Sequence, residues 1–432
     1  MNSYVAVVGL GYVGLPLAVS MARAGMQVLG VDTDPAVRHA VDRREPPFAE
    51  PGLAAALRAV PTDRLTTAEA LPERPPAAVI LCVGTPVAPD AHQPDLRQLR
   101  AAVDGIAPRI AEDTLVVVRS TVPVGTCRRY VLPALRRGVA APLLACCPER
   151  TIQGLAMAEL GSLPQIVGGL DSRSRARADQ LFAAVCPDRV PVSSLEAAEM
   201  TKLACNAHTD LIYGFGNELA LTAAALGLDA WEIIDAANLR YPRPDISGPG
   251  YVGGSCLTKD PYLLLDSAGR AGRWMPMVAA ARAVNESVPY AVVDGFRAAL
   301  ARHGDRPATE AKVLVCGMAY KGRPATDDVR GGAAAVVATL LGPTVGTLAG
   351  HDFLVPEDRT KELGYEPVDL DEGLCDADGV ILLNDHPGYR ELEPEAVRSR
   401  MRAGRVVFDV WGVARQRLDG APGVRYLRYG RG

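Results

Sequence analysis

Short hydrophobic runs alternate with helix-like stretches in the first part of the chain. The first run, residues 4–8, leads into a glycine turn, a helix-like segment at 15–24 and a second run at 27–31 that ends at Asp32. Further apolar runs occupy residues 77–83, 114–119 and 142–147. Continuous apolar runs are typical of strands that are covered on both faces. The pattern predicts an α/β domain with a parallel sheet.

The pattern changes at Leu195, where an alanine- and leucine-rich stretch continues without a proline as far as Gly227. This stretch predicts one long helix. Helix-like segments follow at 231–239 and 276–300, and a loop rich in glycine and proline, 241–254, separates them.

The strand-like runs return near the end of the chain. They lie at residues 312–316, 379–383 and 406–410, after a polar linker at 303–310. The predicted fold is therefore two Rossmann-like, doubly wound parallel-sheet domains, 1–194 and 303–432, joined by a helical middle region, 195–302.

Length and composition agree with several domains and exclude some classes of protein. The 432 residues exceed the ~100–200 that one domain usually holds. A net charge of −4, with no long basic run, argues against a nucleic-acid partner. No apolar run reaches the ~20 residues that span a bilayer, and the N-terminal residues do not resemble a signal peptide. We therefore expect a cytoplasmic protein that binds no membrane.

The nine cysteines contain no CxxC pair, so neither a disulfide framework nor a zinc site is predicted. Cys82 and Cys316 lie within apolar runs, where a thiol behaves as a small hydrophobic group. The composition leaves open whether one of the nine thiols is chemically active.

The glycine turn after the first run has the pattern GxGxxG, formed by Gly9, Gly11 and Gly14 around Tyr12 and Val13. Such a turn between a strand and a helix binds a dinucleotide pyrophosphate at the helix N-terminus. Asp32 would accept hydrogen bonds from the ribose hydroxyls and would repel a 2′-phosphate, which favours NAD over NADP. The alternative is a turn that only packs the helix on the sheet.

Two further predicted strands end in polar turns, with Thr85 and Pro86 after one and Ser120 and Thr121 after the other. Parallel strands end at the same edge of a sheet, so these residues are candidates for cofactor contacts. Ordinary turn chemistry is the more common explanation for such residues.

The predicted long helix carries Lys202, Asn206 and Asp210 at intervals of four residues, which places them on one face. A solvated polar stripe is the more common explanation of such spacing. Neighbours such as Leu203 and Leu211 favour burial, however, and a buried lysine beside an amide could stabilise an oxyanion.

Cys256 is the candidate nucleophile, because it lies in the glycine-containing segment GGSCLTKD at 253–260. Such a loop would give a substrate access to the thiol. Lys259 would favour the thiolate and Asp260 would relay protons. A structural cysteine is the alternative, and the other eight fit it better.

Several segments carry a resemblance to a known family: GLGYVGLPLA at 9–18, CVGTP at 82–86, STVPVGT at 120–126, PER at 148–150, AEMTKLACN at 198–206, GGSCLTKD at 253–260 and GMAYKG with DDVR within 317–330. Together and in this order they resemble the nucleotide-sugar 6-dehydrogenase family. The resemblance implies a four-electron oxidation of a sugar C6 hydroxyl to a carboxylate, with two NAD molecules used in turn.

The resemblance also implies roles for the catalytic residues. Asp260, with Lys202 nearby, would hold the water that takes the hydroxyl proton, and Cys256 would capture the aldehyde. The later hydrolysis would use Glu149 as base, with Thr121 and Asp260 ordering the water. Lys202 and Asn206 would stabilise the tetrahedral oxyanions.

Further residues match binding positions of the family. The loop at 247–253, with Gly250, Tyr251 and Gly253, would wrap the sugar and the diphosphate, and Lys321 would reach the substrate. Lys259 and Arg330 would contact the cofactor. The remaining implied substrate contacts are Arg150, Thr151, Gln153 and either Arg240 or Arg243, and the implied assembly is a homodimer or a higher even oligomer, paired through the central helices.

The sugar is expected to be a UDP-N-acetylhexosamine, such as the ManNAc or GlcNAc derivative. The segments at 148–154, 241–243, 248–250 and 385–386 resemble that branch, whereas Ser255 and Lys259 are closer to the UDP-glucose branch. Thr209, Gln153 and Trp411 depart from family patterns. UDP-glucose 6-dehydrogenase, a small hydroxy-acid dehydrogenase and a catalytically silent nucleotide-sugar-binding protein are the alternatives.

Overall fold

The computed structural model describes residues 4–88, 92–242 and 245–431, and the chain divides into two compact units. The first consists of Met1–Asn206 with Tyr262–Trp274, and the second of Ala207–Pro261 with Met275–Gly432. The sequence predicts three domains instead, and the difference arises because the predicted helical middle region is shared between the two units. The boundaries of the three domains therefore stay a prediction.

The sheet of the first unit has eight strands in the order β3-β2-β1-β4-β5-β6-β7-β8. The strands are β1 (Tyr4–Val8), β2 (Gln27–Val31), β3 (Leu65–Ala68), β4 (Ala78–Leu81), β5 (Leu115–Val118), β6 (Leu143–Cys146), β7 (Gln165–Gly169) and β8 (Arg189–Val192).

Neighbouring strands of this sheet are parallel except β6 and β7, which are antiparallel. The connection between these two strands contains only a one-turn helix, Ala156–Glu159. The prediction of a parallel sheet is confirmed for β1 to β6. Strands β7 and β8 are parallel to each other but run opposite to the other six strands.

The second unit contains a six-stranded, wholly parallel sheet in the order β11-β10-β9-β12-β13-β14. Its strands are β9 (Lys312–Cys316), β10 (Thr347–His351), β11 (Glu366–Pro367), β12 (Gly379–Leu382), β13 (Val406–Asp409) and β14 (Arg425–Arg428).

Helices surround both sheets, and the longest, α8, confirms the predicted long helix. The α-helices are α1 (Gly14–Arg23), α2 (Pro35–Asp42), α3 (Leu53–Ala59), α4 (Arg97–Ile106), α5 (Leu132–Leu135), α6 (Ala156–Glu159), α7 (Ser172–Phe182), α8 (Leu195–Ala225), α9 (Ala230–Asn238), α10 (Gly254–Leu257), α11 (Asp260–Arg270), α12 (Pro276–His303), α13 (Ala333–Leu341), α14 (Glu357–Glu362), α15 (Leu370–Leu374), α16 (Pro394–Arg400) and α17 (Arg415–Leu418). A π-helical turn, Cys127–Val131, precedes α5.

Each sheet has a hydrophobic cluster on both faces. Along β1, Val5 and Val7 belong to one cluster, whereas Ala6 and Val8 belong to the other. In β9, alternate residues likewise divide between two clusters. Side chains of a strand point alternately to the two faces, so continuous apolar strands require cover on both. The two doubly wound, Rossmann-like domains predicted from the sequence are confirmed.

Within the described part of the chain, no helix combines the length and the apolar character needed to cross a membrane.

Candidate functional site

The glycine turn between β1 and α1 has the geometry of a pyrophosphate cradle. Gly9 has a φ of +91°, and a Cβ there would lie 2.7 Å from the Cys82 carbonyl oxygen. A Cβ on Gly14 would lie 1.8 Å from the Gly9 carbonyl oxygen, so both positions need glycine for close packing. At Gly11 no atom lies within 4 Å of the Cβ position. That open space before the N-terminus of α1 suits a dinucleotide pyrophosphate.

Asp32 lies directly after β2, and its carboxylate is fixed beside the glycine turn. Its Oδ2 accepts a hydrogen bond from the Leu10 N–H at 2.8 Å, and its Oδ1 accepts one from the Asp34 N–H at 2.9 Å. Arg38 donates to the Asp32 carbonyl oxygen at 2.7 Å. A fixed negative charge at the end of this strand suits the ribose diol of NAD. Tyr12 packs its ring on Phe48, with centroids 4.1 Å apart.

The polar residues after β4 and β5 lie at one edge of the sheet, because these strands are parallel neighbours. The Thr85 hydroxyl donates to the Thr121 carbonyl oxygen at 2.5 Å, and the Ser120 hydroxyl donates to the Val83 carbonyl oxygen at 2.7 Å. Both hydroxyls therefore tie the two strand ends together. Pro86 is exposed and Thr121 is partly buried at the same edge. The cofactor and catalytic roles of these residues stay predictions.

Glu149, after β6, is held by a buried arginine that the sequence reasoning missed. The Arg119 side chain is 1% exposed and forms an ion pair with Glu149. Arg119 also donates to Gln165 Oε1 at 2.8 Å and to the Cys147 carbonyl oxygen at 3.2 Å. The sequence does contain a sign of this ion pair, because Arg119 directly follows an apolar strand. An arginine is rarely buried there unless an acidic residue pairs with it.

Backbone groups complete the environment of Glu149. Its Oε1 accepts hydrogen bonds from the N–H groups of Arg150 and Thr151 at 2.7 and 2.8 Å. Burial acts to raise the pKa of Glu149, but Arg119, the two N–H groups and the charge of Lys202 outweigh it and hold the pKa below its usual value. Glu149 is therefore ionised at neutral pH. Gln153, near it in sequence, is partly buried.

The three polar residues of α8 do not form a solvated stripe. Lys202 and Asp210 are buried, and Asn206 is partly buried. The interpretation as a solvated face is therefore wrong for this helix, because buried polar groups need partners. In the first unit, the charge of Lys202 acts on Glu149, so the structure brings together two of the predicted catalytic residues.

Cys256 lies in α10, a one-turn helix of the second unit, and is exposed. The turn is held against the loop after β9, since the Gly254 N–H donates to the Gly331 carbonyl oxygen at 3.2 Å. A Cβ on Gly253 would lie 2.4 Å from the same oxygen, and one on Gly254 would lie 2.6 Å from the Tyr320 ring. Glycine is needed at both positions for this close packing, which leaves the thiol accessible.

Lys259 and Asp260 follow the same turn and form an ion pair, with Nζ and Oδ1 2.7 Å apart. The Asp260 side chain is fully buried at the start of α11, whereas that of Lys259 is 16% exposed. The lysine charge thus compensates the buried carboxylate. The Lys259 N–H donates to the Cys256 carbonyl oxygen at 3.1 Å, which ties this pair to the cysteine turn. The chemical roles of Cys256, Lys259 and Asp260 stay predictions.

The segment after β9 places Lys321 and Arg330 beside the cysteine turn. Lys321 lies over the Tyr320 ring, with its Nζ 5.5 Å from the centroid, and Tyr320 contacts the position of Gly254. Arg330 donates to both carboxylate oxygens of Asp328, at 2.8 and 2.7 Å, and its side chain is 56% exposed. Both cations lie in the second unit, and their contacts with substrate and cofactor stay predictions.

The glycine-rich loop contacts Trp411, one of the departures from the family pattern. A Cβ on Gly250 would lie 2.4 Å from the Trp411 indole, so only glycine fits against it. Tyr251 and Gly253 lie further along the loop. Arg240 is exposed with a φ of +53°, and Arg243 lies outside the described residues.

Family models and known relatives match most of the chain. Models of the UDP-glucose/GDP-mannose dehydrogenase family match its NAD binding domain at residues 3–186, its central domain at 196–287 and its UDP binding domain at 314–416. NDP-N-acetyl-D-galactosaminuronic acid dehydrogenase of Ralstonia nicotianae is 34% identical over 95% of this chain and 96% of its own length.

Two other relatives agree with these matches. UDP-N-acetyl-D-mannosamine dehydrogenase of Escherichia coli K12 is 32% identical over 95% of this chain and 99% of its own. The structure of UDP-D-ManNAc dehydrogenase from Pyrococcus horikoshii aligns with a TM-score of 0.89 and 28% identity, covering 99% of both chains. With its NAD-binding glycine turn and both sheet domains accounted for, the chain belongs to the UDP-glucose/GDP-mannose dehydrogenase family and is an NAD-dependent nucleotide-sugar dehydrogenase.

Proposed function

We propose that this enzyme oxidises the C6 hydroxyl of a UDP-N-acetylhexosamine to the carboxylate through a covalent intermediate on Cys256. The observation that carries the proposal is the exposed thiol of Cys256, held on a turn beside the buried Asp260–Lys259 pair. An accessible thiol in a fixed turn is suited to capture an aldehyde and to retain it for a second oxidation.

The proposed chemistry has two oxidations and one hydrolysis. Bound NAD would supply the chemistry of both oxidations by accepting a hydride from C6, and each oxidation would release one proton. After the first, the Cys256 sulfur adds to the aldehyde carbon to form a thiohemiacetal, and after the second it is a thioester. Water then breaks the C–S bond, which yields the carboxylate and regenerates the thiol.

The other residues have roles in proton transfer and charge stabilisation. Asp260, with Lys202, handles the proton of the C6 hydroxyl through a water molecule, and Lys202 with Asn206 stabilises the oxyanions. Glu149 accepts the proton of the hydrolytic water, which Thr121 and Asp260 orient. The ionised state of Glu149 supports this role, because a base must be deprotonated before the reaction.

The remaining predicted residues bind the ligands. Lys321, Arg240 or Arg243, and the loop with Gly250, Tyr251 and Gly253 bind the nucleotide sugar, together with Arg150, Thr151 and Gln153. The cofactor contacts are Gly9, Gly11, Tyr12, Val13, Gly14, Asp32, Thr85, Pro86, Ser120, Thr121, Lys259 and Arg330. The assignment of an N-acetylhexosamine is supported by the three relatives above, which are all named for N-acetylated sugars.

A panel of UDP-sugars tests the proposal directly. We expect UDP-N-acetylmannosamine, UDP-N-acetylglucosamine or UDP-N-acetylgalactosamine to give two NADH per sugar consumed, with kcat/KM at least about tenfold above that for UDP-glucose, because ~1.4 kcal/mol of differential binding gives that factor. NADH absorbance and product mass measure both quantities. UDP-glucose as the preferred substrate would contradict the sugar assignment, and binding without turnover would favour a silent binding protein.

We also propose that the enzyme is a homodimer that pairs through its central helices. Within the second unit, α8 exposes Phe215 and Leu221, and α12 exposes Tyr290. Large exposed apolar side chains on neighbouring helices are typical of an interface.

We also propose that the protein is cytoplasmic, as the sequence predicts. Cell fractionation would test this location.

Light scattering coupled to gel filtration tests the dimer. The wild-type protein should elute at twice the mass of one chain, and Phe215→Glu should shift it towards the monomer because the charge would be buried in the interface. Leu354→Glu, at an exposed apolar residue of the UDP-binding domain, is the matched control and should not change the mass. A monomeric wild-type protein would refute the assembly.

A further inference from the structure

A buried polar network in the second unit connects α8 and α12 to the loop that carries Cys256. Its members are fully buried: Asp210 and Arg282 are 1% exposed, and Asn217 and Asn285 are 0% exposed. Burial of an ion pair with two amides is often no more stabilising than apolar packing of the same volume. A role in fixing geometry explains the network better than a role in stability alone.

Arg282 is the member of the network that reaches the loop. Its Nη1 donates to Asp210 Oδ1 at 2.5 Å and to the Leu257 carbonyl oxygen at 2.7 Å. Its Nη2 lies 3.4 Å from the Val252 carbonyl oxygen. Leu257 follows Cys256 directly, and Val252 precedes it by four residues. One guanidinium therefore connects the backbone on both sides of the thiol.

Asp210 and Asn285 hold Arg282 in place. Asn285 Nδ2 donates to the backbone carbonyl oxygen of Asp210 at 2.9 Å and to its carboxylate at 2.8 Å. The carboxylate thus accepts from two residues of α12 and fixes the orientation of the guanidinium. Planar, pre-oriented donors lose little freedom when they bind, which makes arginine suited to such a position.

The start of the loop is held by the same network. Asn217 donates to the Gly250 carbonyl oxygen at 2.9 Å, and its Oδ1 accepts from the Gly250 N–H at 2.8 Å. Asn217 Nδ2 also donates to Asn285 Oδ1 at 2.8 Å. The contacts form one continuous chain from Gly250 through Asn217, Asn285 and Asp210 to Arg282.

We propose that Arg282 and Asp210 are positioning residues that set the backbone of the Cys256 turn for catalysis. The effect on turnover rests on the proposed function of Cys256, whereas the effect on the loop does not. The network consists of side chains and backbone groups of this chain alone, so it positions the turn before the substrate binds. Displacement of a reacting group by about 1 Å can lower a rate by on the order of 10²-fold.

Arg282→Lys tests the proposal, because lysine keeps the charge but lacks the planar fork that reaches Asp210 and Leu257 together. We expect kcat to fall at least about tenfold, within the loss that a small displacement produces, while the KM for NAD stays within about twofold because the glycine turn is not altered. Asp210→Asn, which keeps the shape of the side chain, should cause a smaller loss.

Arg297→Lys is the matched control. Arg297 lies on the same helix, α12, and donates to the Leu340 carbonyl oxygen and to Thr344, which lie outside the loop. This variant should retain wild-type kcat. Equal losses in Arg282→Lys and Arg297→Lys, or a loss that only follows the folded fraction seen by circular dichroism, would show a merely structural role and overturn the proposal.

Hydrogen exchange measured by mass spectrometry separates this inference from the proposed function. In Arg282→Lys, peptides that cover residues 250–258 should exchange faster than in the wild type, whereas strands β9 and β12 should be unchanged. Unchanged exchange at 250–258 would refute the inference even if the enzyme is active. If no UDP-sugar is oxidised by the wild type, faster exchange at 250–258 still supports the hold of Arg282 on the loop.

Discussion

Cys256→Ser should abolish formation of the uronate and lower steady-state NADH production by on the order of 10³-fold or more, because loss of a covalent nucleophile removes most of the catalysis that depends on it. The exposed thiol and the glycine-packed turn around it are the physical basis of this expectation. NADH formed per enzyme in a single turnover should not exceed one, since the second oxidation needs the thiohemiacetal. The measurement is rapid-quench product analysis by mass.

Two controls make this result specific to the thiol. Cys375→Ser changes another exposed cysteine of the second unit and should leave turnover at the wild-type rate. NAD binding by Cys256→Ser, followed by calorimetry, should be unchanged because the glycine turn of the first unit is intact. Complete oxidation by Cys256→Ser at an undiminished rate would remove the covalent intermediate from the mechanism.

The edge of the first sheet could be predicted because its residues follow local patterns. Apolar runs that stop at Asp32 or Ser120 mark strand ends, and parallel strands end on one edge. The glycine spacing at 9–14 likewise encodes a turn that few other residues permit. The pattern does not predict six of the strands: β3, β8 and β14 carry polar residues, β7 and β10 contain glycine, and β11 has two residues.

The partners that hold the candidate catalytic groups could not be predicted, because they are distant in sequence. Arg119 and Glu149 are 30 residues apart and meet because β5 and β6 are neighbours. Arg282 and Asp210 are 72 residues apart on two helices. A pattern along the chain shows that α8 has a polar face, but only the packing shows that Asp210 faces α12 instead of solvent.

Removal of the Arg119 charge should produce the largest loss of stability among single substitutions near Glu149. Arg119→Met leaves the Glu149 carboxylate, whose side chain is only 12% exposed, without its charged partner. Loss of one member of a buried ion pair destabilises by about 3–5 kcal/mol. Urea unfolding followed by circular dichroism at several pH values measures the change in the free energy of unfolding. Glu149→Gln and the double variant Arg119→Met/Glu149→Gln complete a mutant cycle that isolates the charge interaction.

The pH dependence of the stability loss in Arg119→Met shows whether the charge of Glu149 causes that loss. In the wild type the pKa of Glu149 is lowered on folding from its usual 4.5, so this stabilisation is present above that value and is lost as the pH falls through the folded pKa. In Arg119→Met the carboxylate no longer has the arginine charge beside it, so the pKa of Glu149 is raised relative to the wild type. Its deficit should therefore be full at pH 8 and shrink as the pH falls through the folded pKa of Glu149 in the variant, where the carboxylate gains a proton.

The double variant should lack this pH dependence, because the amide that replaces the Glu149 carboxylate carries no charge at any pH. The contacts of Arg119 with Gln165, Cys147 and the Phe182 ring are lost in both variants and do not depend on the protonation of Glu149. Their loss lowers the free energy of unfolding by the same amount at every pH. The contribution of the ion pair is the further, pH-dependent part of the difference from the wild type. A deficit of Arg119→Met that is equal at pH 8 and at a pH below the folded pKa of Glu149 would mean that Arg119 acts through packing and hydrogen bonds instead of through the ion pair with Glu149.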